Sequence, residues 1–244
     1  MADSQFSWLA DGARYLRQLG ESEGDLLISA PGTVHRNRNN EKKPDRKKSP
    51  ADESAEESSG LLEKFHLEIC NCQKCSLGKT RTNFVFGVGN PDATLMFIGE
   101  APGRDEDLQG EPFVGRAGQL LNKIIESIGF VREDVYIGNI LKCRPPNNRD
   151  PQPEEVDGCE PYLHRQIDLI NPAVICALGR IAAQTLLRTK ATLGKLRENI
   201  HTYQGKQLIV TYHPAALLRN PNWKKPAWED IQLLRKVHDE EVGL

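Results

Sequence analysis

The sequence predicts a three-layer α/β/α domain on a central, mostly parallel four-stranded sheet, preceded by a disordered N-terminal extension. Four short apolar runs are typical of buried strands, at residues 94–98, 135–141, 173–178 and 208–211. Helical patterns lie between and after these runs, at residues 116–128, 153–169, 179–188 and 226–238. Strands that alternate with helices form parallel sheets whose two faces are both covered. The chain of 244 residues is long enough for one such domain, which we place at residues 61–244.

Three of the predicted strands are followed by short motifs that contain glycine, histidine or several polar residues. GEAPG comes after the first run, NILKCRPPNNR ends the second, and HPAALLR comes after the fourth. Ligands of parallel sheets bind beyond the carboxyl ends of the strands. We therefore expect the functional site at that edge of the sheet.

Residues 1–60 differ in composition from the rest of the chain. Residues 1–20 predict a short amphipathic helix, because four apolar residues share one helical face: Phe6, Leu9, Ala13 and Leu16. Residues 21–60 predict a charged, disordered linker. Over residues 31–60, 13 of 30 residues are charged and only three are hydrophobic. Such a segment buries too little apolar surface to offset the entropy of ordering its backbone.

The net charge of −2 conceals a neutral domain. Residues 61–244 hold 23 Lys and Arg against 23 Asp and Glu, so composition alone does not indicate nucleic-acid binding. A DNA-binding surface would have to come from local basic clusters, such as those at residues 142–149 and 219–225. No apolar run approaches the roughly 20 residues of a membrane span. The N-terminus lacks a secretion signal. We therefore expect a cytoplasmic protein, acting at the nucleoid if the cell is prokaryotic.

Six cysteines in a cytoplasmic chain indicate metal ligands or buried thiols before disulfides. Four of them predict one four-sulfur site, with two in a C-x2-C pair and two on distant loops: Cys72, Cys75, Cys143 and Cys159. On spacing alone, zinc and an iron–sulfur cluster fit this site equally well. Cys176 lies in the apolar run AVICAL and is expected in the core. Cys70 stays open as a spare thiol beside the site.

Four motifs occur in order along the predicted domain: CQKCSLGKTRTNFVFGVGN, FIGEAPGRDEDLQGEPFVGRAGQLL, YIGNILKCRPPNNR and YHPAALLRNP. Together they closely resemble the motifs of the family 4 uracil-DNA glycosylases, the iron–sulfur branch of that superfamily. The resemblance covers residues 65–238 and leaves residues 1–60 outside. It implies a base excision repair enzyme that flips uracil out of DNA and hydrolyses its N-glycosidic bond, with a [4Fe–4S] cluster on the four cysteines. We expect the protein to be a monomer, and residues 1–60, which lie outside the resemblance, are a candidate segment for binding a replication or repair protein.

The resemblance assigns the uracil pocket to three side chains. Phe113 would stack on the flipped base. Asn139 would read the base edge by donating to O4 and accepting from N3–H, the opposite of what cytosine presents. His213 would bond O2 and stabilise the negative charge on the departing base. From the residues alone, a core phenylalanine and an asparagine that caps a strand end remain alternatives.

The loop after the first strand would complete the site. Backbone N–H groups of Gly99–Gly103, including those of Gly99 and Ala101, would hold the base or a flanking phosphate. Glu100 is the best-placed carboxylate to orient water or stabilise the sugar cation, although the better-known branch of the superfamily uses an aspartate in this motif. Three further polar residues in matched motifs would share this work, with Asn148 in catalysis and Glu106 in substrate binding: Glu106, Asp107 and Asn148.

The segment after His213 predicts a DNA contact. Its residues Leu217, Leu218 and Arg219 would wedge into the duplex where the flipped base had been, as in other proteins that extrude bases. A buried helix start is the alternative reading of the same residues.

Two other functions compete with a glycosylase. One is a redox protein whose cluster carries electrons, and the other is a non-catalytic DNA-binding module of the same fold. Nothing in the sequence indicates an electron partner. The joint presence of Glu100, Asn139 and His213 argues against the loss of chemistry.

Overall fold

A computed structural model describes residues 50–244 of the protein. Within them, six strands form one sheet in the order β1-β3-β2-β4-β6-β5. The strands are Val88–Gly89 (β1), Leu95–Gly99 (β2), Tyr136–Asn139 (β3), Val174–Leu178 (β4), Ile200–Tyr203 (β5) and Lys206–Thr211 (β6). The four strands β3, β2, β4 and β6 are mutually parallel, and β1 and β5 pair antiparallel at the two edges. The helix predicted at residues 1–20 and the linker residues 21–49 lie outside the described residues.

The four parallel strands are those that the sequence predicts, but a four-stranded sheet is too small. The two edge strands were missed for different reasons. Strand β1 has only two residues, which is too short for any periodic pattern. Strand β5 alternates exposed and half-buried positions and joins β6 through a two-residue hairpin turn at Gln204 and Gly205, both at positive φ. Because β5 is only weakly apolar, the sequence does not indicate a strand there, even though a turn that glycine adopts without strain follows it.

Eight helices cover the sheet within the described residues: α1 (Pro50–Ile69), α2 (Arg104–Gln109), α3 (Arg116–Ser127), α4 (Pro153–Ile170), α5 (Arg180–Leu186), α6 (Leu193–Leu196), α7 (Pro214–Arg219) and α8 (Lys224–Val242). The four predicted helices correspond to α3, α4, α5 and α8. Helices α1, α4 and α5 pack on one face of the sheet, and α3 and α8 pack on the other. The three-layer α/β/α prediction is therefore confirmed.

The parallel strands form the centre of the core. Every residue of β2, β3 and β4 is buried, which explains why these strands appear in the sequence as continuous apolar runs. Cys176 is fully buried in β4 among the side chains of α3 and α8, as expected of a core thiol. None of the helices in residues 50–244 is long and apolar enough to cross a membrane.

Helix α1 begins earlier than the sequence boundary at residue 61. It starts at Pro50, so residues 50–60, predicted as the end of the disordered linker, are helical in this structure. Proline fits the first position of a helix, where its missing N–H leaves no bond unmade. The following segment ADESAEES is rich in alanine and acidic residues, which favour the first turns of a helix. The interpretation from charge density alone overlooked this propensity.

The sheet order positions the functional edge. Strand β2 is followed by β3 on one side, and the chain then crosses to β4 on the other side of β2. Where the order reverses in this way, loops diverge and leave a crevice outside the carboxyl ends of the strands. The loops after β2, β3 and β6 carry the three unusual motifs of the sequence.

Candidate functional site

A cavity of about 380 Å³ lies at the carboxyl ends of the parallel strands. Eight of the predicted site residues line it: Glu100, Ala101, Glu106, Phe113, Asn139, Asn148, His213 and Arg219. Gly99, Leu217 and Leu218 lie outside the lining that the described residues form. The three motifs therefore meet in one pocket, as the topology predicts.

Phe113 is held in a conformation that few non-glycine residues adopt. Its φ is 54°, in the left-handed region, and its side chain is buried. Two contacts maintain this geometry: Arg132 donates to the carbonyl oxygens of Pro112 at 2.6 Å and Phe113 at 3.4 Å. A Cβ on Gly118 would lie 1.7 Å from the Phe113 carbonyl oxygen, so only glycine fits in α3 at that point. Local strain of this kind is usual where a side chain must point into a site.

Asn139 ends strand β3 with its side chain almost completely buried. Its Oδ1 atom has no hydrogen-bond partner among the residues that the structure describes. A buried, unpaired amide oxygen costs free energy unless a ligand satisfies it, so this atom points to a bound polar group. Gly99 opposite it is required: an added Cβ would lie 2.4 Å from Asn139 Oδ1 and 2.7 Å from Phe113 Cζ. Gly99 thus acts by being small, and not as a lining residue.

The loop after β3 is fastened to the loop after β2. Backbone N–H groups of Ile140 and Leu141 donate to the carbonyl oxygens of Gly99 and Glu100 at 2.9 and 3.0 Å. Lys142, which is completely buried, donates through Nζ to the Asn139 carbonyl oxygen at 2.9 Å. Lys142 belongs to the basic cluster at residues 142–149 that the sequence offers as a candidate DNA contact, but its ammonium group faces the interior and is not available to DNA.

His213 caps the N-terminus of α7. Its Nδ1 accepts from the Ala215 N–H at 3.2 Å, so Nδ1 carries no proton and the neutral ring carries it on Nε2. Burial, assisted by the positive charge of Arg219, lowers the pKa of His213 to about 4. The ring lies 5.4 Å from that of Phe113, between centroids, at an angle of 30°. The site therefore holds a neutral imidazole with an N–H donor beside an aromatic face.

Glu100 provides one of the carboxylates that line the pocket. Burial and, to a smaller extent, the negative charge of Asp150 raise its pKa to about 7 against the opposing positive charge of Arg180. Asp150 and Arg180 form an exposed ion pair at 2.8 Å. A carboxyl group with a pKa near neutrality, placed in a cleft, is typical of functional sites.

Two carboxylates close to Glu100 in the sequence accept hydrogen bonds from backbone N–H groups. Glu106 accepts from the N–H groups of Gly103, Val114 and Gly115 at 3.0–3.1 Å. Asp107 is buried and accepts from the N–H groups of Thr82 and Asn83. Both side chains therefore fix loops. Glu106 also lines the cavity, so its part in substrate binding stays a prediction, whereas Asp107 lies outside that lining.

Asn148 lies at the mouth of the cavity with a φ of 53°. It is exposed, and its Oδ1 accepts from Arg144 Nε at 2.8 Å. The next residue, Arg149, forms a two-pronged ion pair with Glu155 at 2.6 and 2.8 Å. These contacts order the loop that borders the pocket and engage the Asn148 Oδ1, so the part of Asn148 in catalysis stays a prediction.

The predicted DNA wedge is only partly available. Leu217 is buried against Leu120 and Ala227, so its prediction as a DNA contact was wrong, because α7 uses it to pack on α3 and α8. Leu218 is 45% exposed, and Arg219 is exposed as well. The wedge prediction therefore narrows to these two side chains.

The four predicted cysteine ligands belong to one apolar cluster of the core, with Cys143 and Cys159 inside it and Cys72 and Cys75 packed against it. Cys143 and Cys159 are buried, and each interacts electrostatically with Cys75. Burial raises the pKa of Cys143, and raises that of Cys159 to about 11. Cys72 belongs to the same group, since it interacts with Cys143 as well. Cys70, by contrast, donates to the Leu67 carbonyl of its own helix at 3.5 Å.

Donors from four other residues surround these sulfur atoms. Arg81 donates to Cys143 Sγ at 3.1 Å, and the Lys142 N–H donates to Cys159 Sγ at 3.2 Å. Cys72 Sγ accepts from the Lys74 N–H at 3.4 Å and from the Tyr162 hydroxyl at 3.2 Å. Across residues 50–244, no three His, Cys, Asp or Glu side chains are arranged to hold a metal ion as they stand.

Comparison with known proteins agrees with this geometry. A sequence profile of the uracil DNA glycosylase superfamily matches residues 86–232. The chain is 51% identical over 184 residues to a type-4 uracil-DNA glycosylase of Archaeoglobus fulgidus, covering 72% of this chain and 92% of that protein. It is 47% identical over 191 residues to that of Sulfurisphaera tokodaii, covering 72% and 84%.

The chain belongs to the type-4 uracil-DNA glycosylase family.

A type-5 uracil-DNA glycosylase of Thermus thermophilus is more distant, with 30% identity over 151 residues, 52% of this chain and 67% of that protein. The type-4 assignment confirms the resemblance that the motifs suggested.

Several residues that build this type-4 site cannot be recognised as site residues from the sequence. Arg132, Arg81 and Lys142 each support a loop from a position that the sequence presents as an ordinary basic residue. Gly118 lies within helix α3, where a glycine in the sequence indicates only a lower helix stability. Its reason appears only when the Phe113 carbonyl is placed against it.

Replacing Glu100 by glutamine is expected to change how both stability and activity depend on pH. The folded-state pKa of about 7 exceeds the ordinary 4.5, so the free energy of unfolding falls as pH rises between these values. Glu100→Gln should remove this pH-dependent loss of stability. The melting temperature of the variant should therefore exceed that of the parent by more at pH 8 than at pH 4.5. If the ionised form is needed, parental single-turnover excision should rise up to about pH 7, and the variant should be slower and flat. Equal shifts in melting temperature at both pH values would contradict the assigned pKa.

Proposed function

We propose that this protein is a uracil-DNA glycosylase that hydrolyses the N-glycosidic bond of uracil in DNA and leaves an abasic site for base excision repair. One observation carries the proposal: a single cavity brings together the Phe113 ring, the unpaired Oδ1 of Asn139 and the Nε2–H of His213. Together they offer an aromatic face, a buried acceptor and a neutral donor, which suit a planar base with both kinds of polar edge.

Binding begins with extrusion of the nucleotide, which costs a few kcal/mol of stacking and pairing. Stacking on Phe113 offsets about 1–3 kcal/mol of that cost. The unpaired Oδ1 of Asn139 accepts from N3–H of uracil, and its amide donates to O4. Cytosine presents an acceptor at N3 and a donor at C4, so both contacts would become repulsive. Asn139 therefore selects uracil.

Cleavage separates a sugar with cation character from a uracil anion. His213 donates its Nε2–H to O2 of the base and stabilises the negative charge as the bond breaks. Because the pKa of His213 is about 4, the ring stays neutral at physiological pH and keeps its Nδ1 bond to Ala215. Glu100 lines the same pocket, and its ionised carboxylate can stabilise the sugar cation or orient the attacking water. That water adds to C1′ and its proton leaves to solvent or to the departing base.

A nicking assay tests the function. A labelled duplex with a single uracil opposite guanine is incubated with the protein and then treated with alkali, which cleaves abasic sites. We expect one cut at the uracil position and none in a duplex with cytosine or thymine there. The variant His213→Ala guards against a contaminating glycosylase. Absence of the cut with the intact protein would refute the proposal.

The four-cysteine site fits an iron–sulfur cluster as its resident group. Four buried or half-buried thiols meet in one place, and N–H donors from Arg81, Lys142 and Lys74 point at their sulfur atoms. Donors of this kind stabilise the negative charge of cluster thiolates. The resemblance of the motifs to those of iron–sulfur glycosylases favours a [4Fe–4S] cluster over a single zinc ion. Such a cluster would hold the end of helix α1, the β3 loop and α4 together.

Purified protein is expected to be brown and to contain about four irons per chain, as a [4Fe–4S] site requires. Serine at Cys143 or Cys159 should lower the iron content and the melting temperature together, because metal binding contributes to folding. Cys70→Ser is the matched control, since its thiol faces its own helix, and it should keep the parental absorbance. Colourless protein with one zinc would refute the cluster while leaving the four-cysteine site.

Other expectations from the sequence keep the status of proposals. The protein would act as a monomer in the cytoplasm, at the nucleoid if the cell is prokaryotic. Residues 1–60 would bind a replication or repair protein. Gel filtration of the full chain checks the first of these points, and pull-down with residues 1–60 checks the last.

A further inference from the structure

An exposed aromatic stack is formed by two residues that are close in the chain to His213 and Arg219, which line the uracil pocket. Trp223 follows α7 in a 3₁₀ turn at Pro221–Trp223 and is 40% exposed. Its ring lies on that of Tyr212, with 5.0 Å between centroids and an angle of 23°. Since one face of the indole is covered by Tyr212, its solvent-exposed surface belongs to the other face and the ring edges.

A buried ion pair supports this stack from below. The Arg197 guanidinium lies 4.4 Å from the centre of the Tyr212 ring and donates to the Tyr212 hydroxyl at 3.1 Å. Two planar groups this close to one ring cannot share a face, so Tyr212 lies between Arg197 and Trp223. Arg197 is itself fixed by buried Asp230, at 2.7 and 2.9 Å. An aromatic ring held this rigidly loses little conformational entropy when a ligand stacks on it.

The position of the stack relates it to the DNA. Tyr212 immediately precedes His213, and Trp223 comes one turn after the exposed Leu218 and Arg219. Arg219 lines the uracil cavity, and Lys225, two residues after Trp223 in the chain, is a second exposed cation. Positive charge beside an exposed aromatic face is the arrangement by which proteins hold unstacked nucleotides.

We propose that the exposed face of Trp223 is a stacking platform for a second base of the DNA, one that loses its neighbour when the uracil leaves the helix. This inference rests on the proposed function and adds a binding residue to it. Extrusion unstacks the bases on either side of the gap and the base opposite. Leu218 occupies the gap, and Trp223 receives the face of one of these bases.

Binding measurements test the platform directly. The His213→Ala protein with its cluster intact is titrated against a labelled uracil-containing duplex, so that slow excision leaves the DNA unchanged. Adding Trp223→Ala should weaken affinity roughly 5- to 100-fold, which corresponds to one lost base–aromatic stack. Adding Trp223→Phe instead should restore most of the affinity, because a smaller ring still stacks. Leu67→Ala is the matched control, since Leu67 is 68% exposed on α1, across the sheet.

Fluorescence provides a readout that a purely structural role would not change. The chain has three tryptophans, and DNA should quench the emission of the one on which a base stacks. Quenching should persist in Trp228→Phe and disappear in Trp223→Phe. If Trp223→Ala lowers affinity for single-stranded as well as duplex DNA, the base that stacks on Trp223 is a neighbour of uracil in the same strand. If it lowers affinity for duplex DNA alone, the stacked base is the one opposite uracil.

Two outcomes would overturn the platform while leaving the glycosylase intact. One is parental affinity in Trp223→Ala, as expected if this surface serves a protein partner. The other is quenching that persists in Trp223→Phe. Failure of the glycosylase itself would be recognised separately, as the absence of uracil excision by the unmodified protein.

Discussion

Replacing His213 by alanine is expected to slow uracil excision by a factor of about 10²–10³, as for the loss of one donor to a developing oxyanion. The Nε2–H donor has a fixed direction, because Nδ1 is engaged by the Ala215 N–H. The variant loses this donor at the moment when charge reaches O2 of the base. Single-turnover rates measure the effect, since slow product release would hide the chemical step.

The discrimination between bases should not change in His213→Ala, because O2 is common to uracil and cytosine. His164→Ala is the matched control: His164 is a half-exposed histidine on α4 that pairs with Glu160, and its loss should leave excision at the parental rate. The parental rate should also decline as pH falls towards about 4, where protonation of Nδ1 breaks the bond to Ala215. Parental excision by His213→Ala would exclude His213 from the chemistry.

The layers of the fold were predictable because their signals are local. Continuous apolar runs such as LMFIG and VICAL can only be satisfied by burial on both faces, so the parallel strands are visible in the sequence. The edge strands β1 and β5 depend on their partners instead. A two-residue strand exists only because β3 offers it hydrogen bonds, and no pattern within Val88–Gly89 records that. Helix α1 starts earlier than predicted because its first residues have high helix propensity, which a prediction from charge density alone does not take into account.

The site divides in the same way. Phe113, Asn139 and His213 are found because they stand in motifs at strand ends, and the topology brings strand ends together. Their supports are found only in three dimensions. Lys142 looks like a surface base in the sequence KCR, yet it is completely buried and bonds to the Asn139 carbonyl. Leu217 and Leu218 look equivalent, yet one is core and the other is exposed, because a helical step of 100° separates them.

A change of Asn139 to aspartate is expected to lower uracil excision by a factor of about 10–10³, through the loss of the donor to O4 and repulsion between that oxygen and the acid. Some excision of cytosine should appear in exchange, because a carboxyl group can accept from the cytosine amino group. It should be strongest at low pH, where the acid or N3 carries a proton, and opposite a mismatch that eases flipping.

The experiment compares single-turnover rates on uracil and cytosine substrates across pH, with the melting temperature of each variant as a check on folding. Asn90→Asp is the matched control. Asn90 accepts from the Asp92 N–H in a turn before β2, at the opposite edge of the sheet from the pocket, and aspartate can accept the same bond. The control should therefore match the parent on both bases. The unpaired Oδ1 of Asn139 makes the test decisive: if it accepts from N3–H of uracil, its orientation selects the base. Uracil excision at the parental rate by Asn139→Asp would mean that Asn139 only caps strand β3, and that another group reads the base.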